Sequence, residues 1–203
     1  MNTDPSGKDD LFVTAIEKFR RLADEAERRG EPESLSAALA TCSADARPSV
    51  RTITVARITD SGLAFFVNTS TGKGRQLQAN PRAAMCFHWP LLQHQVIVEG
   101  DVAPLDEATA DALWRAMPRD FGVGHWTSDQ TRAADTSATV KKRAGEFRRR
   151  FEGDRVPRNP EWKAFEIRPD RMDFWPTGWQ RLRARECYSR QEDGTWARSE
   201  ESP

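Results

Sequence analysis

The sequence predicts a mainly β protein with peripheral helices, an α+β arrangement whose six to eight antiparallel strands suffice to curl into a barrel. Three observations carry that reading. Short β-prone runs follow one another with turn chemistry between them, amphipathic stretches of helical period lie outside those runs, and the C-terminal part returns to strand-like sequence. At 203 residues the chain fits one domain with one core. Residues 10–203 are expected to form it, behind a polar tail of residues 1–9, with Pro5 and Gly7, that is expected to be disordered.

The elements follow in order. From Leu11 to Arg29, the residues Leu11, Ala15, Phe19, Leu22 and Ala26 recur near a 3.6-residue period, which predicts an amphipathic helix stopped by Gly30. Residues 34–70 read as three strands, parted by the turn-forming "ADARP" (44–48) and "TDSG" (59–62), and so as a meander. "GKGRQLQANP" (72–81) is a short helix closed by Asn80-Pro81, and "AAMCFHW" and "HQVIVEGDVAPL" form a strand pair around "PLLQ". A helix follows in "DEATADALWRAMP" (106–118), with acidic residues at its dipole-favoured start and Pro118 at its end.

Residues 119–135 show no clear period and are expected to form a functional loop. "TSATVKKRAGEFRRRFEGD" (136–154) is a basic helix. Its cations suit either an anion or, the favoured reading in a neutral chain, a solvated face with stems packed on the surface. The runs at 162–177 and 180–199 complete a terminal antiparallel set. In "QRLRAR", Arg181, Arg183 and Arg185 alternate with Leu182 and Ala184, so a strand would turn three guanidinium groups to one face.

Lys plus Arg and Asp plus Glu both total 31, so no overall field favours nucleic acid or anionic lipid as a partner. The N-terminus lacks the basic start and apolar stretch of a signal peptide, and no apolar run is long enough to span a bilayer. A cytoplasmic protein without a membrane partner is expected. Cys42, Cys86 and Cys187 are odd in number and widely spaced, which fits reduced thiols.

Several chemistries fall away. The "GK" at 72–73 lacks the first Gly and the Ser or Thr of a phosphate loop, since Val67 and Gly74 stand there. His88, His94 and His125 lack metalloprotease spacing and no cysteine or carboxylate cluster completes a metal site, so no metal is expected and the histidines read as structural or surface residues. No GxSxG elbow is present. Seven Trp and ten Phe against one Tyr leave more indole than a core readily absorbs, and some should wall a pocket.

Four stretches, in this order, resemble the FMN-dependent split β-barrels of the pyridoxamine 5′-phosphate oxidase family. They are residues 51–89 ("RTITVARI" to "CFHW"), "QHQVIVEGDV" (93–102), "GHWTSDQT" (124–131) and "DFWPTGWQRLRAR" (173–185). The resemblance runs from about Ala37 to the C-terminus. It implies a homodimer with FMN in grooves between subunits, and a segment of about 160–203 for dimerisation and substrate contact. Position by position, it makes Arg51 and Lys73 ligands of the FMN phosphate, a fork of donors and a compact ammonium suited to a dianion. Thr52, Ile53, Thr54 and Val55, with Phe66 and Val67, correspond to flavin-contacting strands. Gln95, Gln130 and Thr131 match polar flavin contacts, and Trp175 and Arg185 match contacts made near the C-terminus. Arg181 and Arg183 match substrate contacts; the alternative, three salt-bridged arginines on an edge strand, stays open.

The departures from the family pattern carry the functional expectation. Where vitamin B6 oxidases grip the substrate phosphate with Lys, Tyr, Arg and Ser, this chain has Ala56, Leu113, Met117 and Phe121, none able to donate a side-chain hydrogen bond. Each lost charge-assisted contact costs about 1.5–3 kcal/mol. The family's Arg-Leu-His motif reads Arg181-Leu182-Arg183, a permanent cation in place of a titratable imidazole, and its Arg-Lys pair reads Gly72-Lys73, leaving Thr71 or Arg75 to compensate. The expectation is an FMN-dependent oxidase that takes hydride from an unphosphorylated, ring-containing or carboxylated secondary metabolite, with O₂ as acceptor and H₂O₂ as product, and with no acid–base residue assigned. The resemblance is closest in kind to phenazine-pathway oxidases. Alternatives are a true pyridoxamine phosphate oxidase, a non-catalytic flavin- or haem-binding protein, and a nucleic-acid-binding role for the basic helix.

Overall fold

The computed structural model describes residues 10–127, 136–178 and 184–202. The strands are β1 (Ser36–Cys42), β2 (Pro48–Ile58), β3 (Leu63–Asn68), β4 (Arg82–Trp89), β5 (His94–Pro104), β6 (Trp162–Pro176), β7 (Arg185–Arg190) and β8 (Trp196–Glu201). They form one antiparallel sheet in the order β3-β2-β1-β4-β5-β6-β7-β8, and a further pairing of β3 with β6 closes the first six into a barrel. The expected architecture is present.

β6 serves three partners in turn. Its first residues pair with β3 (Leu63↔Ile167 to Asn68↔Trp162), its whole middle with β5, and Arg171–Phe174 with β7. A strand can do this only if it bends, and the register shift between Glu99 and Gly100 opposite it is the bend. A Cβ on Gly100 would stand 2.0 Å from the Arg168 carbonyl oxygen, so only glycine permits that approach.

Period-two alternation fills the barrel. Leu39, Val55, Phe65, Met85, Val96 and Met172 are at most 1% exposed and point inward, while Val50, Thr52 and Thr54 of β2 are exposed. Helix α1 (Asp10–Arg28) lays its apolar stripe on this core. Phe19 meets Phe87 edge-on at 4.8 Å and Trp89 at 5.9 Å. Lys18 pairs with Glu186, fastening α1 to β7.

Helices α2 (Gly72–Ala79), α3 (Glu107–Ala116), α4 (Arg119–Thr127) and α5 (Ser137–Arg150) lie outside the barrel. Asp106 caps α3 by accepting from the Thr109 N–H at 2.8 Å, and Thr136 caps α5 through the Thr139 N–H. No residue of α5 is buried, which bears out the solvated reading of its cations. The loop expected at 119–135 is instead helical through Thr127. Gly122 and Gly124 weaken its intrinsic propensity, and packing of Val123 with Phe151 and Val156 supplies what propensity lacks. The expected strand at 180–199 is described from Arg185 onward; residues 179–183, and with them Arg181 and Arg183, lie outside the described residues, as do Gln130 and Thr131. Cys42, Cys86 and Cys187 are free thiols.

Phe19 is fully buried where helix and barrel meet. Phe19→Ala should therefore lower stability by about 3–5 kcal/mol, read as a lower urea midpoint with an unchanged slope.

Candidate active site

Arg51 projects from within β2 and is held on three sides. Its Nη1 donates to the Leu39 carbonyl at 3.1 Å and to Thr41 Oγ1 at 2.7 Å, and its Nη2 donates to Gln76 Oε1 at 3.2 Å. Gln76, on α2, is fixed in turn by donating to Ser49 Oγ at 3.1 Å. Sequence reading passed over Gln76, because its role appears only when α2 folds back against β1 and β2.

Lys73 comes from the first turn of the same helix, half-buried and 5.9 Å from the centre of the Trp162 ring. Burial holds the Arg51 guanidinium below its ordinary pKa, and burial with the nearby charge of Arg51 does the same to the Lys73 ammonium. Two half-buried cations near one another make this a positively charged spot. The N-terminus of α2 adds its dipole, with no acidic residue in its first turn. Thr71 does not replace the missing arginine. Its hydroxyl donates to the Asn68 carbonyl at 2.7 Å and accepts from the Gly74 N–H at 3.4 Å, so it is spent on the cap. Arg75 donates to the Ser70 carbonyl at 2.6 Å on the exposed side.

The flavin-contact positions divide by face. On β2, Ile53 and Val55 are buried while Thr52 and Thr54 are exposed, and on β3 both Phe66 and Val67 are buried. A second group forms around the far end of β5 and β6, where Gln95 is registered opposite Trp175. The Arg185 guanidinium lies 5.0 Å from the centre of the Trp175 ring and pairs with the buried Asp173 at 3.4 Å. Arg185 is therefore salt-bridged, yet β7 runs between β6 and β8 and is no edge strand. Trp175 Nε1 and Arg185 Nε are buried without a partner among the described residues. Planar cation, planar ring and unmatched donors suit a polar, flat ligand.

The four substituted positions converge. Leu113 is buried, and Ala56, Met117 and Phe121 pack against the same cluster as Phe66, Trp114 and Trp162. Phe66 meets Trp114 edge-on at 5.4 Å and Phe121 at 6.1 Å. Trp114 Nε1 donates to the Val156 carbonyl at 2.8 Å and so offers nothing to a phosphate.

His125, read from the sequence as structural or surface, stands in this wall. It follows Phe121 by one helical turn, with ring centres 3.9 Å apart, and its ring lies 3.8 Å from that of Trp162. Its Nδ1 is 2.7 Å from the Phe121 carbonyl oxygen. A carbonyl only accepts, so Nδ1 carries the proton and Nε2 has the lone pair. Burial, against the Phe121 hydrogen bond and with help from the Lys73 charge, lowers its pKa to about 4. Its sequence signals were the i, i+4 spacing from Phe121 and a place in "GHWTSDQT", since Trp162 and Lys73 reach it only through the fold. Among the described residues no group of His, Cys, Asp and Glu side chains is arranged to hold a metal.

A barrel closed by six strands and extended by two more thus carries the paired cations at one place and the indole–guanidinium pair at another. A family model described as pyridoxamine 5′-phosphate oxidase matches residues 23–176, and the chain belongs to that family. It is 43% identical over 179 residues to the pyridoxine/pyridoxamine 5′-phosphate oxidase of Anaeromyxobacter dehalogenans, covering 88% of this chain and 90% of that protein. Among solved structures, PhzG from Burkholderia lata 383 in complex with tetrahydrophenazine-1-carboxylic acid superimposes with a TM-score of 0.82 at 26% identity, covering 93% of this chain and 92% of that one. A pyridoxamine 5′-phosphate oxidase-related, FMN-binding protein from Nostoc punctiforme shares the fold, with a TM-score of 0.72 at 18% identity over 100% of both chains.

The His125 imidazole has a folded pKa of about 4 against the usual 6.5. The unfolded chain takes up the proton first, so His125 favours the fold above about pH 6.5 and withdraws that contribution as pH falls toward 4. Urea unfolding at pH 7.5 and pH 5 should show wild type losing up to about 2 kcal/mol more than His125→Phe between the two.

Proposed function

We propose that the protein is an FMN-dependent oxidase acting on an unphosphorylated, flat ring substrate. The observation that carries this reading is the convergence of Ala56, Leu113, Met117 and Phe121, where the resemblance places the family's substrate-phosphate grip, into one apolar and aromatic cluster. A phosphate dianion placed there would lose its water without gaining donors. Of the positions where the resemblance places anchors of the cofactor phosphate, Arg51 on β2 and Lys73 on α2 keep their cations near one another, while Gly72 has lost one.

FMN, when bound, supplies the hydride acceptor, with dioxygen as the expected oxidant. Arg51 and Lys73 would hold its phosphate, Phe66, Val67 and β2 from Arg51 to Val55 would line the ring system, and Gln95, Trp175 and Arg185 would meet it from the other side. Gln130 and Thr131 complete the proposed cofactor set, and Arg181 and Arg183 would orient an anionic or polar edge of the substrate. The apolar wall keeps water from the reacting carbon.

The two halves of this set lie on different strands of one sheet, β2 and β3 against β5 to β7. A homodimer joins them across its interface. The outer barrel face supports one: Val50 is 67% exposed, and the row Thr52, Ala38, Cys86 and Ile97 crosses four strands with small or apolar side chains. Among the described residues no helix is long and apolar enough to cross a membrane. A cytoplasmic location and a role in secondary metabolism belong to the same proposal.

A vitamin B6 phosphate oxidase is the second reading, favoured by 43% identity to a protein of that name. Its phosphate would need other cations. Arg115, Arg119 and Arg155 line a cavity of about 330 Å³ beside Met117 and Trp114 and are the ones at hand.

Anaerobic mixing of the FMN-loaded protein with pyridoxamine phosphate separates the readings. Slow bleaching of the flavin band at micromolar substrate is expected; fast bleaching that Arg155→Ala abolishes establishes the B6 reading. A flavin that no reductive substrate bleaches marks a carrier. Lys73→Met should weaken FMN binding about tenfold to a hundredfold, the effect of one charge-assisted contact, measured by quenching of FMN fluorescence.

A further inference from the structure

The apolar wall holds one buried polar atom without a partner among the described residues, Trp162 Nε1, and beside it one half-buried imidazole nitrogen with a lone pair, His125 Nε2. His125 Nδ1 is committed to the Phe121 carbonyl at 2.7 Å, which leaves Nε2 as an acceptor to which no described residue donates. The adjoining Trp162 has its Nε1 buried without a partner among the described residues. The rings are 3.8 Å apart, so an acceptor and a donor come from neighbouring planes in one aromatic cluster. An unmatched buried polar atom costs free energy unless a ligand meets it.

We propose that His125 is a specificity-determining residue: its Nε2 accepts a hydrogen bond from a ring N–H or O–H of a substrate lying flat against Ala56, Leu113, Met117 and Phe121. The assignment rests on the flavin-oxidase reading and deepens it by naming the substrate class, an unphosphorylated heteroaromatic or partly reduced ring that carries a donor on its edge.

The geometry restricts what His125 does. The carbonyl of Phe121 fixes the tautomer, and the rings of Phe121, Trp114 and Trp162 hold the imidazole plane. Burial, with the repulsion of the nearby Lys73 charge, keeps the imidazole neutral through the physiological range. A neutral imidazole locked in this form offers an acceptor and no donor, so a ring oxygen or an unprotonated ring nitrogen finds nothing to bind at Nε2. A site built to bond a donor rejects analogues that lack it more strongly than a merely apolar pocket does.

Acridone and xanthone test this, because they share one planar tricycle and differ by N–H against ring oxygen. Binding to the FMN-loaded protein is read from probe fluorescence, with FMN content read from flavin absorbance. Wild type should bind acridone roughly tenfold more tightly than xanthone. His125→Phe, which keeps a flat ring but loses the acceptor, should bring the ratio close to one. His125→Gln, whose amide oxygen accepts, should restore part of it, which a purely structural role would not do. Ring ¹⁵N shifts give an independent reading: the protonated nitrogen should be Nδ1, and protonation of Nε2 overturns the assignment. Equal binding of the two probes by wild type, binding of neither, or a preference that survives His125→Phe also overturns it while the flavin-oxidase reading stands. If wild type takes up no FMN, that reading falls first.

Discussion

Closure of the barrel through β3 and β6 is the constraint on which the rest depends. The pairing sets Phe66 opposite Ala164, Val67 opposite Lys163 and Asn68 opposite Trp162. It thereby fixes the floor of the aromatic cluster from residues about a hundred positions apart in the chain. Trp162 then stands between Lys73 and His125, with contacts to both. The paired cations and the aromatic cluster share one indole, so a shift of the closing pair by one residue would turn Trp162 and Phe66 to the opposite face and dismantle both.

The long β6 makes closure compatible with the other half-site. Its early residues are needed by β3 and its later ones carry β7, where Asp173 takes ion pairs from Arg171 at 2.9 Å and from Arg185 at 3.4 Å. Burying a carboxylate carries a desolvation cost that its two guanidinium partners offset. What it gains is orientation: Arg185 is kept over Trp175 rather than free to follow solvent.

Strands, turns and most helices were legible because each obeys a local rule. β-prone runs parted by turn chemistry marked β1 to β6, with "TDSG" at the β2–β3 turn. Helix α4 was not legible, because Gly122 and Gly124 mask its period and Val123 finds its partners, Phe151 and Val156, only after α5 has turned back. The site divides the same way. Arg51, Lys73, Trp175 and Arg185 were legible through family resemblance, and the structure gathers them as two groups. Gln76 and His125 were not. Each owes its role to a neighbour brought by tertiary packing, Arg51 for one and Trp162 for the other. Spacing rules for histidine look for metals and catalytic pairs, and an imidazole set among aromatic rings matches neither pattern.

The electrostatic contrast between the two ends of the site is the deeper regularity. Where β2 meets α2, Arg51 and Lys73 are brought near one another against partial burial, and for Lys73 against the charge of Arg51 as well. Beside the Trp162 ring, the His125 side chain in the aromatic wall is driven neutral by burial and by the charge of Lys73. An anion at Lys73 would screen that repulsion and ease the pressure on His125, while the aromatic rings around the imidazole continue to oppose its protonation. The wall therefore stays uncharged whether or not the anion site is filled, and an uncharged wall discriminates by shape and by single hydrogen bonds, not by net charge.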